Sequence, residues 1–325
     1  MTASEDVRYP VATTERIRTA PRPTTRGRGR GWTVERARES LSTFLFLVPL
    51  LVIFGVFSWL PILRALIMSV QDTNLVSDPI FVGLDNFARV LRDPLFWTAI
   101  KNTLWFALLA LVIGYPVPLV LAVLMSTVRR RRGLYSALAY LPVVVPPVIA
   151  VLLWKFFFDG SPTGVFNTIL GWVGIHPQPW LQSSATAMPS LVLEATWANA
   201  GATIIIYLAA LVAVPVELYD AAEVDGAGLG RKVWNVTLPQ LRGVLMVTLI
   251  LQIIGTAQVF LEPFLFTAGG PANATMTVLL LIYKYAFENS VGGDYGAATA
   301  LSLMLAMFLA VFSAVYFRLT RSWAS

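Results

Sequence analysis

Long apolar runs separated by short polar segments dominate this chain. Six such runs can be drawn, each at or above the roughly 20 residues that a helix needs to cross a bilayer. Several exceed that length, which a tilted helix can accommodate. They cover residues 42–70, 99–127, 134–158, 186–214, 244–266 and 296–317. The pattern predicts an all-α, polytopic membrane protein with six transmembrane helices.

Composition agrees with this interpretation and excludes several other classes of protein. Hydrophobic residues make up 57% of the 325 residues and charged residues only 13%, which is too little charge for a soluble domain with such apolar runs. The chain has no cysteine, so disulfides and thiol chemistry are excluded. Its single histidine, His176, falls in an expected outer loop and indicates no metal or catalytic cluster.

Three parts are expected along the chain. Residues 1–41 hold nine arginines and several prolines, a composition typical of a disordered cytoplasmic tail. Residues 42–318 form the six-span domain, which includes the polar loop 215–243. Residues 319–325 form a short cytoplasmic C-terminal tail.

The lysines and arginines are divided unevenly between the two expected sides of the membrane. One side has 18 of them, in both tails, in Arg129–Arg132 and in the loop 215–243, and the other side has 6. Basic residues favour the cytoplasmic side, so both termini and that loop are predicted to be cytoplasmic. The net charge of +6 is distributed between the spans in this way and indicates no nucleic-acid partner.

The polar loop between the fourth and fifth apolar runs has a pattern of its own. Residues 220–239 read DAAEVDGAGLGRKVWNVTLP and predict two short helices separated by glycine. Pro215 suits a first helical position, and Gly226 and Gly228 are predicted to stop the first helix because glycine tolerates the left-handed turn. Pro239 is predicted to end the second helix.

This loop resembles the EAA loop of permeases of ATP-binding cassette (ABC) importers. That loop reads E-A-A, three residues, Gly, then about nine residues to I-x-L-P, and Asp220-Ala221-Ala222, Gly226 and Val236-Thr237-Leu238-Pro239 fall in the same register. Asp replaces the first Glu, and Val replaces Ile. The resemblance implies that the loop docks an ATP-hydrolysing subunit, and the alternative is a plain amphipathic surface helix. The implied docking residues are Asp220, Ala221, Ala222, Glu223, Gly226 and Pro239.

Three further strings resemble permeases of carbohydrate importers of the maltose and glycerol-phosphate type. Residues 83–103 resemble the pattern G-x-x-N-F…D-P-x-F-W…N-T. Residues 141–155 resemble L-P-x-x-x-P…W-K, and residues 267–275 resemble T-x-G-G-P…T. The resemblance implies the type I, MetI-like permease fold for residues 42–318.

These strings also carry local predictions. Gly83 and Asn86 are predicted to form a turn and a helix cap, and Asp93-Pro94 to start a new helix. The prolines of the third apolar run are predicted to break its helix, because proline leaves a carbonyl without its donor.

Polar residues inside the spans are the candidates for a substrate path, because burying them in lipid is costly. Sugars are recognised by amides and hydroxyls that match their own hydroxyl groups. In the resembled family the site lies on the spans either side of the EAA loop, and interhelical hydrogen bonding is the alternative. Further polar positions there include Glu194, Trp197, Tyr207 and Glu262. The candidate substrate-binding residues are Asn199, Thr203, Gln252, Thr256 and Gln258.

The resemblance implies a membrane subunit that forms half of a pore and moves a sugar or sugar derivative into the cytoplasm by alternating access. No G-x-x-x-x-G-K-[ST] string occurs, so ATP and Mg²⁺ are expected on a partner ATPase and no cofactor on this chain. The implied partners in the plasma membrane are a second, homologous permease, an ATPase dimer and an extracytoplasmic sugar-binding protein.

Two other classes of function are alternatives. A secondary transporter or channel acting alone calls for intramembrane charge pairs or an inverted repeat, and neither is evident in the sequence. An integral-membrane enzyme needs clustered His, Asp or Glu at one membrane face, and the chain has one histidine.

Overall fold

The computed structural model describes residues 31–128, 131–288 and 292–320, and these residues are mostly helical. The helices are α1 (Gly31–Phe54), α2 (Leu60–Met68), α3 (Asp85–Arg92), α4 (Pro94–Leu109), α5 (Pro116–Thr127), α6 (Arg132–Val144), α7 (Pro147–Phe157), α8 (Val165–Trp172), α9 (Ala187–Val212), α10 (Val216–Val224), α11 (Leu229–Lys232), α12 (Leu238–Ala257), α13 (Val278–Phe287) and α14 (Tyr295–Thr320). Wider π-helical turns occupy Gly55–Trp59, Ala110–Gly114, Val233–Thr237 and Pro263–Thr267. Two short antiparallel strands, β1 (Gln71–Asp72) and β2 (Ile80–Phe81), complete the secondary structure.

The chain divides into two compact units, residues 1–61 and 62–325. In the first unit, α1 begins at Gly31, inside the stretch expected to be disordered, so that prediction is wrong for residues 31–41. These residues contain no proline, which would disfavour a helix. Residues 1–30, Arg129 with Arg130, and residues 321–325 of the expected C-terminal tail lie outside the described residues.

The membrane-spanning helices follow the predicted apolar runs. Five described segments are long and apolar enough to cross a bilayer, and a bent helix pair brings the number to six. The five are Thr43–Met68, Pro94–Thr127, Ala187–Val212, Leu229–Ala257 and Tyr295–Thr320. The prediction of a helical protein that crosses the membrane several times is therefore confirmed.

The third predicted span is broken, as its prolines indicated. Its two halves, Gly133–Val144 and Pro147–Phe157, meet at 97°. Pro146 precedes α7 in an extended conformation, and Pro147 opens the helix. Because proline disfavours helical geometry in the residue before it, Pro147 keeps Pro146 out of a helix and the chain turns there. The expected run 134–158 is thus two helices.

The fifth predicted span, 244–266, has different bounds in the structure. Its helix ends at Ala257, and Gln258 caps it. Pro263 has no N–H for the carbonyl of Val259, which disfavours a regular helix through this point. The hydroxyl of Thr277 donates to that carbonyl instead, at 3.0 Å.

The start of the same span corrects the prediction for Pro239. The helix passes through this proline, which lies in the first turn of α12. The π-helical turn Val233–Thr237 comes directly before it, and the N–H of Leu238 bonds the carbonyl of Val233. The wider turn shifts the hydrogen-bonding pattern by one residue, which accommodates a proline without a break.

Helix α9 is the central element of the second unit, since it contacts α4, α5, α6, α7 and α12. Tyr207, Ile204 and Leu241 are among the fully buried residues of the core around it. At Gly201 the contact with α6 is so close that an added Cβ would lie 2.2 Å from the carbonyl oxygen of Ala139. This close approach fixes α9 against the broken span.

Asn86 was predicted to cap a helix, and that prediction is wrong. Leu84 occupies the cap position, and Asn86 lies inside α3. Its buried amide donates to the carbonyl oxygens of Ser69 at 2.9 Å and Gln71 at 2.8 Å. The predicted start at Asp93-Pro94 is confirmed, because the Asp93 side chain accepts from the N–H of Leu95.

Candidate functional site

A cavity of about 610 Å³ lies in the second unit between α9, α12 and a wall formed by α4, the π-helical turn Ala110–Gly114 and α5. Its rim includes the short segment that follows α12. The cavity is therefore built from the two spans that flank the polar loop, together with the second span. All five candidate substrate-binding residues line it: Asn199, Thr203, Gln252, Thr256 and Gln258.

The hydrogen bonds of these five side chains stay within their own helices. Asn199 donates to the carbonyl oxygen of Ala195 at 2.8 Å, Gln258 to that of Ile254 at 3.1 Å, and Thr256 to that of Ile253 at 3.0 Å. Within the described residues, the Thr203 and Gln252 side chains make no hydrogen bond. None of the five therefore joins one helix to another, which was the alternative explanation for polar residues in these spans.

The other polar residues of the fourth span serve different purposes. Trp197 packs against Trp154 with ring centroids 5.6 Å apart. The hydroxyl of Tyr207 lies 2.8 Å from that of Thr248 and is fully buried. Glu194 is 1% exposed, and its Oε2 atom has no hydrogen-bond partner among the described residues. Glu262, past the end of the fifth span, lines the cavity.

Sequence reasoning missed the tyrosines that hold α12 in place beside the cavity. The hydroxyls of Tyr115 and Tyr316 donate to the carbonyl oxygens of Leu245 and Met246, each at 2.6 Å. Together with the contact between Tyr207 and Thr248, three tyrosines from different helices meet the same stretch of α12. Their spacing in sequence gives no signal of this convergence, which arises only from helix packing.

The polar loop forms the first short helix that its sequence predicted, α10, whereas its second helical piece, α11, continues through the π-helical turn into α12. Pro215 lies one residue before α10 rather than at its first position. Gly226 has a φ of +72°, and the N–H groups of Gly226 and Ala227 bond the carbonyls of Glu223 and Ala222, each at 2.9 Å. This is the glycine-dependent Schellman end of a helix. Gly228 then precedes α11 in an extended conformation.

Two side-chain contacts fasten the loop internally. The Lys232 ammonium lies 2.8 Å from the Glu223 carboxylate and lowers the pKa of that carboxyl by donating a hydrogen bond to it. The hydroxyls of Tyr219 and Thr237 are 3.1 Å apart. Asp220, the acid in the register of the EAA loop, is exposed and bonds no described residue. Glu223, three residues later, makes the contact with α11 through Lys232.

The loop exposes large apolar side chains as well as charges. Val224 is 88% exposed and Trp234 is 73% exposed. Val216, Leu218 and Leu229 are exposed beside them. Large exposed apolar patches are typical of surfaces that bind a protein partner or a membrane.

Residues 114–324 match the family described as binding-protein-dependent transport system inner membrane component. The chain belongs to this family. The matched residues include the whole polar loop, α9, α12 and most of the cavity lining. The predicted resemblance to permeases of ABC importers is confirmed, and the chain is a multi-pass membrane component.

Relatives in this family match over most of their length. The chain is 35% identical to the arabinooligosaccharides transport system permease protein AraP of Halalkalibacterium halodurans, over 86% of this chain and 88% of that protein. It is 32% identical to the trehalose/maltose transport system permease protein MalF of Thermococcus litoralis, over 87% of this chain and 95% of that one.

A solved structure has the same fold. In the crystal structure of a bacterial alginate ABC transporter in complex with its alginate pentasaccharide-bound periplasmic protein, one chain superposes with a TM-score of 0.77 at 26% identity. The match covers 90% of this chain and 98% of that chain. The predicted ABC importer permease fold is thereby confirmed.

Proposed function

We propose that this chain is one of two permease subunits of an ABC importer and forms half of a pore that moves a saccharide into the cytoplasm by alternating access. The observation that carries the proposal is the cavity, in which amides and hydroxyls from both spans flanking the docking loop meet around one space. The names of the relatives support a saccharide as the substrate.

The substrate site consists of Asn199, Thr203, Gln252, Thr256 and Gln258. Their amide and hydroxyl groups hydrogen-bond the hydroxyls of the sugar, and the cavity of about 610 Å³ offers space for a small saccharide. Because these side chains bond only their own helices or nothing, they can exchange water for sugar without breaking a contact between helices.

The docking site is the loop 215–243, which binds the ATPase. Its residues include Asp220, Ala221, Ala222, Glu223, Gly226 and Pro239. The stiff helix α10 and the fixed exit at Gly226 transmit closure of the ATPase dimer as a rigid push on α9 and α12. The exposed apolar side chains of the loop supply the contact area. ATP and Mg²⁺ are bound by the ATPase, so this chain is a translocation subunit and catalyses no reaction itself.

The assembly contains a second, homologous permease, two ATPase copies and an extracytoplasmic sugar-binding protein. The periplasmic protein in the complex of the alginate transporter supports the last of these. Both termini and the docking loop face the cytoplasm from the plasma membrane, because the loops on that side carry most of the lysines and arginines.

Reconstitution tests the proposal. The complex purified through this chain should contain an ATPase and a second permease, and in liposomes it should take up a saccharide only with ATP and binding protein present. The chain expressed alone should give no uptake. Robust uptake by the lone chain would favour a transporter that works by itself and would contradict the proposal.

A further inference from the structure

We infer that this subunit makes the transport cavity selective against anionic saccharides, so that its substrate is a neutral or amine-bearing sugar rather than a uronate or a sugar phosphate. The inference rests on the proposed saccharide import and names its substrate class. The feature that carries it is a single carboxylate without an ion pair, in a wall whose other side chains are apolar or neutral polar groups.

Glu262 is the only charged side chain among the described residues that line the cavity. It forms no ion pair and accepts no hydrogen bond from another described residue. Glu262 holds the N-cap position of the helical turn that begins at Pro263, but its side chain makes no cap hydrogen bond. A carboxylate in such a place needs donors from outside the chain. Sugar hydroxyls and ammonium groups are donors, whereas carboxylates and phosphates are not.

The neutral groups of the wall strengthen this preference. The hydroxyls of Thr196 and Thr256 donate to carbonyl oxygens of their own helices at 2.7 and 3.0 Å. The amides of Asn199 and Gln258 each use one N–H in the same way. These local bonds occupy donors and leave oxygen atoms available, so the cavity offers more acceptors than donors to a ligand.

Basic side chains are absent from the described lining of the cavity. An anionic sugar would therefore leave bulk water for a space that offers no positive charge and has a negative one in its wall. Like charges in a space of reduced dielectric repel more strongly than in water. An anion should consequently enter at a marked disadvantage relative to a neutral sugar of the same size.

Glu194 adds a second acidic group behind the wall. It is 1% exposed, and its Oε2 atom has no hydrogen-bond partner among the described residues. No described lysine or arginine forms an ion pair with either carboxyl group. In the part of the chain that the structure describes, no basic side chain therefore pairs with the acidic groups on this side of the cavity.

The fold itself leaves the charge preference open, since the same fold serves a transporter of alginate, an acidic polysaccharide. Any charge selection by this subunit must come from the residues that line its cavity. This makes the preference a property that a single substitution can shift.

The test uses the assembled complex in liposomes and a saccharide that it imports, paired with the same saccharide oxidised at one primary hydroxyl to a carboxylate. Uptake is compared at equal occupancy of the binding protein, so that the binding protein's own preference is removed. We expect the wild type to import the carboxylate form at least tenfold more slowly. Glu262→Gln keeps the shape of the side chain and removes its charge. It should lower the ratio of neutral to carboxylate uptake rates at least threefold, and Glu262→Lys should lower that ratio further.

Glu288→Gln is the matched control, because Glu288 pairs with Lys284 and does not line the cavity; it should keep the wild-type ratio. Membrane abundance and retention of the ATPase show that each variant folds and assembles. Equal uptake of both forms by the wild type, or an unchanged ratio in Glu262→Gln and Glu262→Lys, would overturn the inference alone. Absence of uptake for every saccharide tried would overturn the proposed function, and the inference with it.

Discussion

Asn167 and Asn199 are the same type of residue in two regions with opposite hydrogen bonding. The Asn167 amide is 1% exposed and donates to the carbonyl oxygens of residues 159, 161 and 178. Its oxygen accepts from the N–H of Gln178 and the indole of Trp180, each at 2.9 Å. The exposed Asn199 makes one bond, to its own helix. A buried amide with several distant partners fixes a fold, whereas one with a single local partner keeps capacity for a ligand.

The same division holds for other amides in the second unit. Asn86 and Asn102 each donate to two backbone carbonyls far away in sequence, while Gln252 and Gln258 bond nothing or their own helix. Asn102 and the neighbouring Thr103 join α4 to the segment before α13. The two family strings, around residues 83–103 and 267–275, are therefore hydrogen-bonded to each other through Asn102 and Asn273.

The largest effect is expected from Asn167→Ala. The substitution removes a hydrogen-bond partner from three carbonyls, one N–H and one indole N–H, and each buried group left unpaired costs about 1–3 kcal/mol. We expect the free energy of unfolding to fall by about 3 kcal/mol or more, seen as a lower midpoint of thermal unfolding in detergent and less assembled complex. Asn199→Ala is the matched control and should keep both close to wild type. Equal losses of stability and assembly in the two variants would mean that Asn199 supports the fold as much as Asn167 does.

Gln252→Ala tests the second group of amides, which line the cavity and make no bond between helices. Removing a donor and acceptor for a sugar hydroxyl should cost about 1–3 kcal/mol, roughly a five- to hundred-fold loss of uptake. Basal ATP hydrolysis and assembly should stay intact, because this side chain bonds no described residue. Gln240→Ala is the control, since Gln240 is exposed near the other end of the same helix and does not line the cavity. Wild-type uptake in Gln252→Ala would make this residue a packing contact.

Gly226→Val extends the comparison from side chains to the backbone of the docking loop. At a φ of +72°, a β-branched residue costs of order 1–3 kcal/mol of backbone strain. We expect normal insertion and sugar binding but weaker retention of the ATPase and reduced uptake. Gly230→Val is the control, because Gly230 has no positive φ and an added Cβ there meets no atom within 4 Å. Full coupled uptake in Gly226→Val would falsify the docking role.

The sequence was sufficient for features set by local periodicity and register. The apolar runs located the spans, the prolines near residue 146 located the break, and the glycine at 226 located the turn of the docking loop. The five cavity residues were found because polar groups in spans are costly and the resembled family places its site on these two spans. Whether they bind sugar stays a prediction.

Features that depend on tertiary contacts were out of reach. The partners of Asn86 lie 15 and 17 residues earlier in the chain, so its cap-like sequence setting was misleading. The fifth span ends at Ala257, and beyond it the carbonyl of Val259 accepts from the hydroxyl of Thr277, a tertiary contact that hydropathy does not report. Asp220 occupies the acidic position of the EAA pattern, yet it is Glu223 that accepts the hydrogen bond from Lys232 of α11.

The smallest effect is expected from Glu223→Gln, which removes the negative charge from the contact between α10 and α11. The Glu223 side chain is 76% exposed, and exposed ion pairs contribute little to stability and are screened by salt. Since Lys232 lowers the pKa of Glu223 below its ordinary 4.5, the pair stabilises the loop above that pH, and its contribution is lost as the pH falls through the lowered value.

Amide hydrogen exchange of residues 226–232 should therefore be slightly slower in the wild type than in Glu223→Gln at neutral pH. Comparing the two proteins at the same pH cancels the intrinsic dependence of exchange on pH. The difference should shrink as the pH falls below the ordinary 4.5, and it should shrink in high salt as well. A difference that persists unchanged under both conditions would mean that the carboxylate acts on the loop through something other than its charge.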